Sequence, residues 1–271
     1  MTPIADTFGT LKLKDEGALI AYITVGDPQP KATPLLVDAL IEGGADIVEL
    51  GIPFSDPIAD GPTIQRAMTR SLTNGCRPID VIEIAEMIRE RHDTPLVIMT
   101  SYNPVFKIGL PKFLRIARNA GISGMIIPDL ALEESSDYKK ACTASNMATI
   151  FLATPSTGPD RLKRILDVTS GFLYLVSLYG VTGERSTMPK STLTMIQRYS
   201  HEVAESIPLA VGFGISRPVH VSQIMSAGAD GVIVGSAFVN IIERNGTNLS
   251  RTAKQLKDLA KRLKRATHNR S

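Results

Sequence analysis

The chain has 271 residues, of which 43% are hydrophobic, and 30 Lys and Arg against 27 Asp and Glu give a net charge of only +3. This composition excludes a disordered chain, and the longest apolar stretch, residues 231–242, is too short to span a membrane. The first ten residues lack the pattern of a secretory signal, so the cytoplasm is the expected location. The two cysteines, Cys76 and Cys142, are expected to be small buried side chains.

Eight short apolar runs recur along the chain and alternate with helical patterns. Each run is almost continuously apolar, which is typical of strands buried on both faces of a parallel sheet. We predict strands at residues 18–26, 46–51, 95–100, 124–129, 148–153, 172–177, 208–214 and 231–236.

Helical patterns fill the intervals, and several of them end in the glycine that commonly follows a helix. They cover residues 34–42, 62–72, 78–91, 111–119, 132–145, 160–168, 193–205, 217–227 and 238–244. Eight βα units predict an α/β fold, a (β/α)8 TIM barrel with extra terminal helices, in a single domain over residues 1–271. An open doubly wound sheet is the alternative, and the missing GxGxxG turn after the first strand disfavours it.

Glu49 lies near the end of the second predicted strand, and the active sites of such barrels lie at these strand ends. Strand alternation places Glu49 on one face with Ile47 and Gly51, and Val48 and Leu50 on the other. If Val48 and Leu50 meet the helices, Glu49 points into the barrel mouth. Burial there would raise its pKa and suit a general acid or base. The alternative is a carboxylate paired with a structural cation.

The loop after this strand carries Asp56 and Asp60 among prolines. Asp60 follows Glu49 by eleven residues, on a segment that could fold back over the barrel mouth. Two carboxylates in different environments can divide acid and base work. Turn capping beside glycine and proline explains both aspartates equally well.

Glycine-rich segments follow the last three predicted strands. Gly180 and Gly183 bracket Thr182 in a long loop that is typical of a lid, although a plain connector is the alternative. Residues 212–216 and 234–238 put glycines where helices begin, and the loops after strands seven and eight form the usual phosphate site of a barrel. These two segments predict a phosphorylated substrate, unless the glycines serve only tight packing.

The chain is unevenly charged, because residues 251–271 carry +7 and leave −4 for the rest. A basic C-terminal helix is predicted over residues 249–267, with apolar residues at helical spacing (Leu249, Ala253, Leu256, Ala260 and Leu263). The outer layer of a barrel explains this stripe better than nucleic-acid or membrane binding. The four histidines show no metal-ligand spacing, and no lysine ends a strand as a Schiff-base aldolase would need.

Seven segments give the chain a close resemblance to the tryptophan synthase alpha chain family. They are AYITVGDP (21–28), ADIVELGIPFSDPIADGPTIQRA (45–67), YNPV (102–105), PDLALEE (128–134), GVTGER (180–185), GFGIS (212–216) and GADGVIVGSAFV (228–239). The resemblance implies retro-aldol cleavage of indole-3-glycerol phosphate to indole and glyceraldehyde 3-phosphate.

The resemblance also implies roles for individual residues. Glu49 and Asp60 would be the catalytic pair, with Glu49 moving protons and Asp60 accepting a hydrogen bond from the indole N–H. The phosphate would be held by Gly183, Gly212, Gly214, Gly235 and Ser236. Ile64, Tyr174 and Phe213 would line the indole pocket, and Thr182 would tie the lid loop to the loop near Asp60.

The family works with a beta chain that uses pyridoxal phosphate and receives the indole, which implies a tetramer of two alpha and two beta chains and no cofactor in this chain. The loops around Pro53, Phe54, Asp56 and Pro57 and around Asn103 and Pro104 would face that partner. Ser101 and Ala131 depart from the tyrosine and proline that are frequent in the family. They leave open a non-catalytic partner of a beta chain, and another phosphate-binding barrel lyase or isomerase is a further alternative.

Overall fold

The computed structural model describes residues 2–57, 60–176, 187–204, 206–212 and 214–268. Within these ranges nine strand segments form one sheet in which every pairing is parallel. The strands are β1 (Ala18–Thr24), β2 (Ile47–Gly51), β3 (Leu96–Met99), β4 (Ile122–Ile126), β5 (Ala148–Ile150), β6 (Leu152–Ala153), β7 (Leu173–Val176), β8 (Leu209–Gly212) and β9 (Gly231–Val234).

Twelve α-helices surround the sheet in the same described ranges. They are α1 (Pro3–Leu13), α2 (Thr33–Glu42), α3 (Pro62–Thr73), α4 (Pro78–Arg89), α5 (Tyr102–Ile108), α6 (Leu110–Asn119), α7 (Ser135–Ala144), α8 (Pro159–Val168), α9 (Lys190–Val203), α10 (Pro218–Ser226), α11 (Ser236–Asn245) and α12 (Leu249–Arg265). No helix in the described part of the chain is long and apolar enough to cross a membrane.

The order of the strands closes the sheet into a barrel. The sheet runs β5-β4-β3-β2-β1-β9-β8-β7-β6, so its two edges are β5 and β6. These two segments are separated only by Phe151, and together they occupy the fifth predicted strand. The eight predicted strands therefore become the eight positions of a nearly closed barrel, and the prediction of a TIM barrel is confirmed.

The barrel interior is filled in layers, as the parallel register requires. Ile20 on β1 lies opposite Ile47 on β2, and both belong to the inner apolar cluster. Helix α1 adds Ile4 and Phe8 to this cluster, and the Phe8 ring lies 5.8 Å from that of Phe172. Two residues further along each strand, the register places Tyr22 opposite Glu49. The next inward layer is thus polar and lies toward the barrel mouth.

A second apolar core lies between the strands and the helices. Val48 and Leu50 belong to it, which is the orientation that places Glu49 inside the barrel. Leu256 and Leu263 of α12 are fully buried in the same core, where α12 packs against α2 and α11. Burial of one leucine side chain stabilises the fold by roughly 1.5–3 kcal/mol. The apolar stripe of the basic tail therefore serves the outer helical layer.

Helix α5 is absent from the predicted elements. Its sequence contains Asn103-Pro104, a pair that usually indicates a turn. Pro104 is the third residue of α5, within the first turn, where backbone N–H groups have no partner inside the helix. The proline therefore costs the helix no hydrogen bond, and the sequence signal for a turn is misleading here.

Candidate active site

A cavity of about 560 Å³ opens at the carboxyl ends of the strands. Eight of the eleven predicted site residues line it, namely Glu49, Asp60, Ile64, Tyr174, Gly212, Gly214, Gly235 and Ser236. The other three, Thr182, Gly183 and Phe213, lie outside the described residues, as does the predicted lid loop. Residues from β2, β7, β8 and β9 thus meet in one place.

Glu49 is completely buried, and its carboxyl group has no protein partner in the described part of the chain. Neither Oε1 nor Oε2 makes a hydrogen bond there. Burial, and to a smaller extent the negative charge of Asp60, raises the pKa of Glu49 to about 8. The side chain therefore holds a proton at neutral pH. A structural ion pair, the alternative reading of this residue, is not present among the described residues.

Asp60 is half-buried and lies two residues before α3 begins. The side chain of Gln65 in the first turn of α3 donates to the Asp60 backbone oxygen over 2.8 Å. Burial raises the pKa of Asp60 to about 6, below that of Glu49. Near pH 7 one carboxyl group is therefore protonated and the other ionised, which is a division suited to acid and base work.

Asp56 does not reach this cavity. It is exposed, and its Oδ2 accepts a hydrogen bond from the Ser55 hydroxyl over 2.5 Å. It lines a second cavity of about 280 Å³ together with Phe54, Ser101 and Asn103. The two cavities share four wall residues (Asp60, Met99, Pro128 and Asp129). The second cavity therefore adjoins the first on the side of the two loops that the family resemblance assigns to a partner.

The glycines at the ends of β8 and β9 allow other groups to approach closely. A Cβ atom at Gly212 would lie 2.6 Å from the ring of Tyr174, so a side chain there would displace that ring. Gly235 immediately precedes α11, and Ser236 is its first residue. The first N–H groups of a helix have no partner inside it and attract anions. The chemistry of this end of the cavity suits a phosphate group.

Tyr22 lines the same cavity but is not among the site residues predicted from the sequence. Its hydroxyl lies 3.1 Å from the Thr24 hydroxyl, and a Cβ atom at Gly51 would lie 2.3 Å from the Tyr22 oxygen. Tyr22 lies within a continuous apolar run, so nothing in the sequence distinguishes it from its neighbours. Its inward orientation becomes visible only in the structure, where Tyr22 follows the inward-facing Ile20 by two residues and lies opposite Glu49.

Further lining residues were not among the predicted site residues, although Asp129 ends the fourth predicted strand. Met99 ends β3, Asp129 follows β4, and Arg161 lies in the first turn of α8. The Asp129 carboxylate accepts a hydrogen bond from the Tyr102 backbone N–H over 2.9 Å, which joins the two loops after β3 and β4. These positions become neighbours only when the barrel closes.

Comparisons with known proteins find similar chains over almost the whole length of this one. The model of the family described as tryptophan synthase alpha chain matches residues 8–268. The tryptophan synthase alpha chain of Methanosarcina acetivorans is 49% identical over 96% of this chain and 92% of its own. That of Solibacter usitatus is 45% identical over 98% of both chains.

Solved structures show the same similarity. The tryptophan synthase alpha chain of Legionella pneumophila superposes with a TM-score of 0.89 at 33% identity, over 98% of this chain and 97% of that one. A chain of the tryptophan synthase complex from Pyrococcus furiosus gives a TM-score of 0.83 at 38% identity, over 92% and 98%.

Proposed function

We propose that Glu49 and Asp60 carry out the carbon–carbon lyase reaction of this chain, which belongs to the tryptophan synthase alpha chain family. The reaction cleaves indole-3-glycerol phosphate to indole and glyceraldehyde 3-phosphate. The observation that supports these roles most directly is the buried carboxyl group of Glu49 without a protein partner. Burying a carboxyl group without a hydrogen-bond partner costs free energy, and the group remains available to a substrate.

The reaction requires one proton to be given and one to be taken. Protonated Glu49 donates to indole C3, which converts the ring into a cation with its charge near the nitrogen. Ionised Asp60 accepts a hydrogen bond from the indole N–H and stabilises that positive charge. Glu49 then takes the proton of the hydroxyl on the adjacent carbon. The carbon–carbon bond breaks, its electron pair returns to the ring, the hydroxyl carbon becomes the aldehyde, and Glu49 is protonated again.

The two ends of the substrate have separate surroundings in this proposal. The backbone N–H groups near Gly212, Gly214 and Gly235, with the Ser236 hydroxyl, hold the phosphate. The indole lies against Ile64 and Tyr174. Thr182, Gly183 and Phe213 complete these sets as the family resemblance implies: Gly183 at the phosphate, Phe213 at the indole, and Thr182 between the lid loop and the loop near Asp60.

We further propose that residues 1–271 form a single domain that works with a beta chain in a tetramer of two chains of each kind. Support comes from the one continuous sheet and from the related Pyrococcus furiosus chain, whose structure is a tryptophan synthase complex. The beta chain would carry the pyridoxal phosphate, and this chain would need no cofactor. The loops around Phe54 and Asn103 would face the partner.

The test is indole release from indole-3-glycerol phosphate, with and without a beta chain, for the wild type and for Glu49→Gln. We expect the substitution to lower turnover by about 10²–10⁴-fold, the usual contribution of a general acid or base, and to leave binding of glycerol phosphate largely intact. Glu42→Gln, on α2 and remote from the cavity, is the control. Wild-type turnover in Glu49→Gln would refute the acid–base role. Beta-chain binding without any substrate binding would favour a non-catalytic partner.

A further inference from the structure

Four charged side chains at the barrel mouth form a continuous chain of ion pairs that takes no part in the proposed chemistry. We call this set of Asp27, Arg70, Glu243 and Arg66 the mouth clamp. Its deepest member is Asp27, in the turn after β1, which is completely buried. Arg70 on α3 donates from Nε to Asp27 Oδ1 and from Nη2 to Oδ2, each over 2.8 Å. This bidentate ion pair holds α3 against the turn that follows β1.

The outer half of the mouth clamp joins α3 to α11. Glu243 on α11 accepts at Oε1 from Arg70 Nη1 over 2.9 Å. It also accepts from Arg66 Nε over 2.7 Å at Oε1 and from Arg66 Nη2 over 2.9 Å at Oε2. Arg66 and Arg70 are one helical turn apart, where like charges repel each other. The carboxylate between them removes that repulsion and ties both arginines to the neighbouring helix.

The two helices joined in this way both contribute residues to the wall of the cavity. Helix α3 begins two residues after Asp60 and places Ile64 in the cavity wall. Helix α11 begins at Ser236, at the end proposed for the phosphate, and Glu243 follows seven residues later, about 10 Å along the helix. The mouth clamp thus connects α11, which begins at the proposed phosphate site, to α3, which begins just after Asp60.

An apolar cluster links the same elements as the mouth clamp. It consists of Tyr22, Ile64, Ala67, Met68 and Val239. Tyr22 and Ile64 also line the cavity, whereas Val239 belongs to α11. Because close-packed side chains leave little free volume, a shift of α11 relative to α3 must move the cavity wall as well. The ion pairs and the apolar contacts therefore both hold α11 against α3.

We propose that the mouth clamp makes binding at the two ends of the cavity cooperative, with Glu243, Arg66 and Arg70 as positioning residues. An anion at the start of α11 stabilises the packing of α11 on α3, which holds Asp60 and Ile64 in place for the indole ring. By linkage, an indole ring in place strengthens anion binding by the same factor. This inference rests on the proposed function, because it requires a phosphate site and an indole pocket within one cavity.

The test is a calorimetric titration of the full chain with indole, first alone and then with saturating glycerol phosphate. For the wild type we expect glycerol phosphate to tighten indole binding by about fivefold or more, the usual lower range of coupling between two sites. For Glu243→Gln we expect the ratio to fall to near one, while the affinity for each ligand alone stays within about twofold. The amide keeps the size of the side chain and removes the charge that holds both arginines.

The matched control is Glu42→Gln, which removes another carboxylate that joins two helices, through a 2.7 Å pair with Lys257 of α12, away from the cavity. Its coupling ratio should equal that of the wild type. A merely structural role for Glu243 would lower the unfolding temperature and leave the ratio unchanged, and that result would overturn the proposal. So would a wild-type ratio of one with both ligands bound. If glycerol phosphate does not bind the wild type at all, the proposed phosphate site itself is wrong.

Discussion

A carboxyl group that is buried without a partner lowers the stability of a fold, and Glu49 is such a group among the described residues. Its pKa in the folded chain is about 8, against an ordinary value of 4.5, so the folded state holds a proton that the unfolded state releases between these values. The cost of keeping the ionised group buried is therefore absent below about pH 4.5, grows as the pH rises from there, and is complete above about pH 8. At its full extent it amounts to roughly 5 kcal/mol.

This linkage predicts that Glu49→Gln stabilises the fold increasingly as the pH rises. Glutamine cannot ionise, so it escapes the cost of a buried charge. We expect the variant and the wild type to have similar stability near pH 4.5, and the variant to gain about 1.4 kcal/mol per pH unit above it, up to about pH 8. Urea unfolding of both proteins at pH 5, 6.5 and 8 measures this difference. A difference that does not change with pH would show that Glu49 titrates normally.

The same two carboxyl groups predict a bell-shaped pH profile for kcat/KM. Activity requires ionised Asp60 and protonated Glu49, so it should rise through a pKa of about 6 and fall through one of about 8. In Asp60→Asn the negative charge near Glu49 is lost. The residual activity should therefore fall at lower pH than in the wild type. An alkaline limb that stays in place would mean that Asp60 does not act on the ionisation of Glu49.

How far the sequence predicts the site differs between individual residues. Alternation separates Glu49 from Val48 and Leu50, but it does not say which face of the strand meets the helices, because Ile47 on the face of Glu49 is apolar as well. The packing of Val48 and Leu50 in the outer core gives the orientation. Tyr22 has the same orientation in its own strand, but that strand is apolar throughout and offers no contrast. Asp129 and Arg161 join the cavity through loops whose paths depend on contacts that are distant in sequence.

Among the elements, α3 is the one through which the site is held. Gln65 in its first turn donates to the backbone oxygen of Asp60 over 2.8 Å, and to that of Pro57 over 3.5 Å. The helix itself is predictable, since Pro62 is a favourable first residue and the apolar spacing is helical. The hydrogen bonds from Gln65 to the preceding loop cannot be predicted from the sequence, because a glutamine side chain on a helix usually faces solvent.

We predict that Gln65→Ala lowers kcat by about fivefold, with a smaller effect on KM. The substitution removes a hydrogen bond worth about 1 kcal/mol that positions the loop of Asp60. Steady-state indole release measures both constants. Thr69→Val, one turn later on α3, is the control, because the Thr69 hydroxyl, within the described part of the chain, donates to the Gln65 backbone oxygen and not to the loop of Asp60. Equal kcat values in Gln65→Ala and the wild type would show that the loop is held by other contacts.

For the whole molecule, one lysine of the basic tail has a structural role at the end of the barrel away from the cavity. Lys264, near the end of α12, is mostly buried and donates to the Gly17 backbone oxygen over 3.1 Å. It also pairs with Glu16 over 3.0 Å and with Asp46 over 2.9 Å. Asp46 in turn accepts from the backbone N–H of Leu19 in β1 over 2.7 Å. The basic tail thus fastens the last helix to the first strand.

This arrangement predicts that Lys264→Met destabilises the fold by about 3 kcal/mol, because it leaves two acidic groups close together without their cation. Lys257→Met is the matched control on the same helix, since Lys257 pairs with Glu42 in solvent and its loss should change stability little. Urea unfolding of both variants measures the difference. Indole release below the unfolding transition should be unaffected in both, because the pairs lie at the opposite end of the barrel from Glu49. Equal stabilities in the two variants would mean that the charge of the tail serves something other than closure of the barrel.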